Sequence, residues 1–426
     1  MKIMIIVRGK TLIGKFWTRV SIVVSDSGYI VGIFKSPKIN RYYLSKVDAI
    51  YNARDKLILP GLIDCHVHFR DPGLTHKEDF ESGSKCAIAS GVTIVGDMPN
   101  NKPRVRDTES YLYKIKNIEG KSYCDYFLYT ELNISSEIEK LLHLSKPPRA
   151  VKIYLYRREH YDLILGNSFP KNTIYVFHAE HPDYLKKSND GCVEKSFRPP
   201  RAEHEGIKLA IQFARQGYRV HITHLSTRQG LMQIINAKNS GMDITCDVTP
   251  HHLVFYQEEI DTMSPLFLVL PPIRRKIDRD YLISALRNGY VDAICSDHAP
   301  HLKIEKEKNR CETFGIQSLQ YLLPIMFSLC KKFGIDFRKV LPLMSRNPAE
   351  IFNIVKRGWI KRGNYADLVI FDPRKKWVVD PEACYSKAKF SPYDSMLLQG
   401  HVEATFLRGR LVYENGVFIK RIGQHI

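Results

Sequence analysis

Short runs of β-branched and aromatic residues alternate with helix-spaced apolar positions through the middle of the chain, the pattern of a parallel sheet with crossover helices. Eight strands are expected near Leu57–Asp64, Val92–Met98, Cys124–Tyr129, Val151–Leu155, Thr173–Phe177, Arg219–Thr223, Ile244–Val248 and Val291–Ser296. The clearest intervening helix is Ala202–Gln216, where Ile207, Ala210, Ile211 and Ala214 recur on one face. Eight strand–helix units in roughly 300 residues predict a closed (β/α)8 barrel, here over residues 55–357. An open doubly wound sheet is the competing architecture, but no glycine-rich phosphate loop follows any strand. The ends differ: residues 1–54 and 358–426 carry alternating runs such as Val20–Val24, Tyr29–Ile33 and Ala404–Tyr413. Neither end has enough apolar surface for its own core, so the two are expected to join in one β-rich, sandwich-like domain beside the barrel.

Composition narrows the class without changing the pattern. The chain has 426 residues, 44% of them hydrophobic and 26% charged, as in an ordinary globular enzyme. No apolar run approaches the roughly 20 residues needed to span a bilayer, and the first ten residues read as a strand rather than a leader. Nine scattered cysteines without CxxC spacing suit reduced thiols and a cytoplasmic location. The net charge of +19 is spread along the chain in mixed-sign groups. That distribution fits a basic surface drawing in a small anionic substrate better than a nucleic-acid module, so neither a nucleic-acid nor a membrane partner is expected.

The strongest chemical signal is Asp64-Cys65-His66-Val67-His68 at the end of the first barrel strand. Residues i and i+2 of a strand share a face, so His66 and His68 can meet one ion. Later strands end in Lys152, His178, the pair His221 and His224, and Asp297 followed by His301. A barrel delivers such residues to one mouth although they are far apart in sequence. Of His221 and His224, the second lies further towards the strand end and is the better-placed ligand.

The segment Gly61–Gly73 with Leu74-Thr75-His76-Lys77-Glu78-Asp79-Phe80 resembles the opening motif of the dihydroorotases, members of the cyclic amidohydrolase group with the hydantoinases and allantoinases. Asp97-Met98-Pro99-Asn100, His178-Ala179-Glu180, Arg198-Pro199-Pro200, Asp247–His252, Asp297–His301, Asn347-Pro348-Ala349 and Gly363–Leu368 extend the likeness over nearly the whole chain. The resemblance implies His66 and His68 on a first metal, His178 and His224 on a second, and Asp297 as both ligand and proton carrier. It implies a carboxylated Lys152 bridging two zinc ions, although some relatives fill a single metal site. It assigns Arg70, Asn100 and His301 to the substrate carboxylate; a planar guanidinium suits bidentate carboxylate recognition. The implied activity is reversible interconversion of N-carbamoyl-L-aspartate with L-dihydroorotate and water in pyrimidine biosynthesis, by a metal-bound hydroxide in the hydrolytic direction.

Some positions depart from the family pattern. Leu270 stands where an asparagine usually precedes paired prolines, and Gln320 where a glutamate is common. Leu270 keeps an allantoinase or dihydropyrimidinase reading in play, and a catalytically silent relative with a structural role is the alternative of another class. The charged stretch Lys303–Glu312 is expected to be a mobile loop over the mouth. A homodimer is the default assembly expectation; association with other pyrimidine enzymes has no visible motif.

Overall fold

In the computed structural model, residues 3–35, 39, 41–185, 198–261, 264–308 and 313–426 are described. Two eight-stranded sheets organise them. The first joins β1 (Ile3–Ile13), β2 (Phe16–Ser25), β3 (Ile30–Lys35) and β4 (Val47–Pro60) to four strands of the C-terminal region. The second runs, in sequence order, through β5 (Leu62–Val67), β6 (Val92–Asp97), β7 (Asp125–Glu131), β8 (Ala150–Tyr154), β9 (Ile174–His178), β10 (Arg219–Ile222), β11 (Ile244–Val248) and β12 (Ala293–Ile294), each parallel to the next. The C-terminal strands of the first sheet are β13 (Leu368–Val378), β14 (Leu397–Leu407), β15 (Arg410–Glu414) and β16 (Val417–Phe418).

The parallel sheet closes. Val67 bridges His298 just after β12, and the His68 N–H donates to the His298 carbonyl at 2.8 Å. Every residue of β5 to β9 is buried, as expected where helices cover one face and side chains fill the other. The fold is therefore the (β/α)8 barrel with a β-rich sheet drawn from both chain ends. Among the described residues no helix is long and apolar enough to cross a membrane.

Sequence and structure part at two places. The run Leu57–Asp64, read as one strand, is two: β4 ends at Pro60 in the terminal sheet and β5 begins at Leu62 in the barrel. Gly61 makes the passage because a Cβ there would lie 2.3 Å from Thr93 Oγ1 and 2.6 Å from Asp367 Cβ. The second is the charged stretch after the last strand. Lys303–Lys308 is a helix rather than an open loop. Its Lys306 is buried, with Nζ donating to the Leu268 carbonyl at 3.1 Å and to the Gly315 carbonyl. Residues 309–312, the rest of that expected loop, lie outside the described residues.

Where the sheet meets the barrel, the lock is ionic. Buried Asp125 at the start of β7 accepts from Arg357 at 2.7 Å and from Arg408, and Arg357 also reaches Asp367 beside β13. One carboxylate thus fixes a barrel strand to the segment that returns to the terminal sheet.

Candidate active site

The site lies at the carboxyl ends of the barrel strands, around a cavity of 180 Å³ that all nine expected site residues line. His66 and His68 sit on one face of β5 and its extension, with their Nε2 atoms 3.2 Å apart. Asp297 Oδ1 stands 3.3 Å from the first and 3.4 Å from the second. These three residues place one donor atom each within 4.8 Å of one another. Behind them, His66 Nδ1 meets Thr223 Oγ1 at 2.5 Å and His68 Nδ1 donates to Asn100 Oδ1 at 2.6 Å. Such partners fix ring orientation and leave Nε2 for the cavity. Asn100 thus orients a histidine in addition to bordering the cavity.

Burial holds His66, His68 and His224 well below the usual imidazole range, so each ring is a neutral lone-pair donor. His224 Nδ1 is buried with no hydrogen-bond partner. The His224 ring centroid is 5.2 Å from that of His66 and 4.5 Å from that of His178. His178 Nε2 is turned to Glu180 Oε2 at 2.6 Å, and Arg198 holds the same oxygen at 2.6 Å. This Glu180–Arg198 clamp joins two motifs noted in the sequence whose meeting the sequence did not reveal.

Lys152 is fully buried and its Nζ has no hydrogen-bond partner. Burial brings its ammonium down to about 8 despite the pull of Asp297. Burial also lifts the Asp297 carboxyl to about 7, with Lys152 opposing. Orphaned polar atoms and neutral imidazoles facing a carboxylate are the donor set of a cation site.

Three of these residues have left-handed backbones: Arg70 at φ 61°, His224 at φ 42° and Asp297 at φ 46°. Each follows the end of a barrel strand, where the turn re-aims the side chain into the mouth at a conformational cost. His221 stays below. Its Nε2 meets Asp247 Oδ2 and its Nδ1 meets Thr245 Oγ1, both at 2.8 Å, while Asp247 Oδ1 accepts the His224 N–H at 2.6 Å. The buried floor is therefore polar, and the His221–Asp247 pair supports His224 from beneath.

Arg70 forms the other wall. Its side chain is buried, its Nε has no hydrogen-bond partner, and burial lowers its pKa. Among the described residues no carboxylate lies within ion-pair distance of it. His301 Nε2 is 3.2 Å from Arg70 Nη2 and 3.1 Å from the Phe314 carbonyl, while Lys77 Nζ is 3.1 Å from His301 Nδ1. The ammonium and the carbonyl together select one tautomer: Nδ1 accepts from Lys77 and the Nε2–H donates to Phe314. Arg70 then has no acceptor in His301 and keeps its donors for the cavity.

The Amidohydrolase family model matches residues 57–138 and 170–412. A dihydroorotase of Pyrococcus abyssi is 34% identical over 413 residues, covering 95% of this chain and 95% of that protein. The chain belongs to the dihydroorotases of the amidohydrolase family. Another relative of that name, from Aquifex aeolicus, is 34% identical over 399 residues, covering 89% of this chain and 93% of its own. The fold extends to an L-hydantoinase (dihydropyrimidinase) from Arthrobacter aurescens, with a TM-score of 0.89 over 99% of both chains at 24% identity. That likeness concerns architecture alone. Metal dependence is a property of the family, and the His66–His68–Asp297 group is a candidate donor set for it at the barrel mouth.

Proposed function

We propose that this chain catalyses the dihydroorotase reaction, opening the L-dihydroorotate ring to N-carbamoyl-L-aspartate and closing it in reverse. The observation that carries the substrate assignment is Arg70. A buried guanidinium without a carboxylate partner is costly unless an anion joins it. A cavity of 180 Å³ admits a small ring, not a polymer, and a ring bearing a carboxylate supplies the missing anion.

His66, His68 and Asp297 would hold one divalent ion, and His178 and His224 a second. Lys152, carboxylated by carbon dioxide, would bridge them. Its burial supports that reading, because an amine brought down to about 8 has a reactive neutral form near neutral pH. His-rich and carboxylate ligation makes zinc the default. Bound there, such ions polarise an amide carbonyl and lower the pKa of water.

The rest follows from the side chains. Arg70, with His301 beside it, grips the exocyclic carboxylate and sets the ring in the cavity. Water adds to the C4 carbonyl. Asp297, whose carboxyl is lifted to about 7 by burial, takes the proton from the water and delivers it to the departing ring nitrogen. Ring closure reverses these transfers. Leu270 lines the cavity and offers no hydrogen bond to the ring, so its peptide groups are left to neighbouring backbone. Leu270 is also the one observation that favours an uncharged cyclic amide as substrate.

The test is steady-state turnover of L-dihydroorotate by protein purified with zinc and bicarbonate, beside allantoin and dihydrouracil. Selective turnover of dihydroorotate is expected. Turnover of only the uncharged rings would overturn the substrate assignment, and none at all with metal verified would favour a silent relative.

A further inference from the structure

Cys86 and Cys384 are 298 positions apart in sequence, yet their sulfurs lie 3.8 Å apart. Cys86 is on helix Phe80–Ala89, and Cys384 follows the turn Pro381–Ala383 between β13 and β14. Both are buried and both are free thiols. Their surroundings make them unequal. Cys384 Sγ accepts the Ser386 N–H at 3.4 Å and the Gln317 side-chain amide, and as a thiol it donates to Gln320 Oε1 at 3.1 Å. Burial acts to raise the Cys384 thiol, but the hydrogen bonds from Cys86 and Ser386 outweigh it and bring it below the usual range. Burial pushes Cys86 the other way. One sulfur is suited to be the nucleophile and its neighbour to be the resolving thiol.

A way in exists. A cavity of 320 Å³ is bordered by Gln320, which touches Cys384, by Tyr385, the next residue in the chain, and by Ala89, one turn along the helix from Cys86. Gln320, a departure from the family pattern, is neutral here. A carboxylate in its place would add to the opposition that Glu78 already sets against a thiolate at Cys384.

We propose that Cys86 and Cys384 are a redox pair that closes to a disulfide when hydrogen peroxide reaches them. The Cys384 thiolate attacks the peroxide, whose O–O bond breaks to give the sulfenic acid and hydroxide. Cys86 then attacks the sulfenic sulfur, the S–S bond forms, and water leaves. In sum two thiols and one peroxide give one disulfide and two waters. The sulfurs must approach from 3.8 Å to about 2.0 Å, a shift of side-chain scale. The link ties the helix behind the site to a distant segment and restricts the unfolded chain, so it raises stability.

The experiment uses the full chain, reduced, desalted, exposed to hydrogen peroxide, then denatured and alkylated. The expected result is an intact mass lighter by two hydrogens, two fewer alkyl groups, and one cross-linked peptide pair containing Cys86 and Cys384. The unfolding midpoint rises and returns with dithiothreitol. Cys86→Ser leaves a sulfenic acid at Cys384 that dimedone traps, and Gln320→Glu slows closure several-fold. Both thiols still alkylated after peroxide, Cys384 driven to the sulfinic acid with Cys86 free, or another cysteine pair linking first would each overturn the proposal. The masses of the unsubstituted protein decide the matter even where a variant fails to fold.

Discussion

Replacing Arg70 by Gln separates a substrate-reading cation from a structural one. The guanidinium is buried, its Nε has no hydrogen-bond partner, and the neighbouring His301 nitrogen is engaged by the Phe314 carbonyl. Without ligand, Arg70 therefore bears a desolvation cost with little return. Its removal is expected to leave the unfolding free energy unchanged or raise it by about 1 kcal/mol or more. With substrate the balance reverses, because truncating one partner of a buried charge pair costs about 2–5 kcal/mol. That is about 30- to 5,000-fold in kcat/KM for dihydroorotate. Dihydrouracil, which lacks the carboxylate, should react no more slowly with Arg70→Gln than with the parent. Steady-state rates on both rings and calorimetric unfolding of the unliganded proteins give the three numbers. The reasoning fails if the variant loses several kcal/mol of stability, or if both substrates slow equally.

Other substitutions probe the remaining parts of the site. Lys152→Met should lower metal content, read by plasma emission, and lower activity by at least the about 10–100-fold that disturbing a ligand's support costs; unchanged metal content would contradict its bridging role. Lys114→Met breaks a fully buried pair with Asp97, whose Oδ1 accepts the Phe69 N–H at 2.7 Å, next to His68 in the chain. It should cost about 3–5 kcal/mol in denaturant unfolding, and Asp97→Asn in the same chain should recover part of that. Gly206→Ala places a Cβ 2.2 Å from the Ala179 carbonyl oxygen, between His178 and Glu180. A cost of about 1–3 kcal/mol is expected in the same assay.

The site could be read from the chain where its geometry is local. His66 and His68 share a face because strand side chains alternate, and of the candidates named from strand ends all but His221 line the one cavity. The choice of His224 over His221 rested on position alone. The structure adds its cause: β10 ends at Ile222, and the left-handed turn at His224 swings that ring into the mouth. What stayed hidden depends on contacts made through space. The Glu180–Arg198 clamp, the His221–Asp247 floor and the hydrogen bond from His68 to Asn100 each join separate motifs. A second kind of miss came from composition. Lys303–Lys308 looked like a solvated charge run, yet Lys306 turns inward to bind two carbonyls from the loops that carry Leu270 and Phe314. Charge alone does not show which lysine in such a run is buried.

The most direct measurement is a crystal structure of the zinc-loaded protein with L-dihydroorotate bound. The account predicts the substrate carboxylate on the Arg70 guanidinium and the scissile amide facing His66, His68 and Asp297, with Asp297 on the side of the departing nitrogen. A carboxylate directed to solvent, with Arg70 still unpaired, would contradict it.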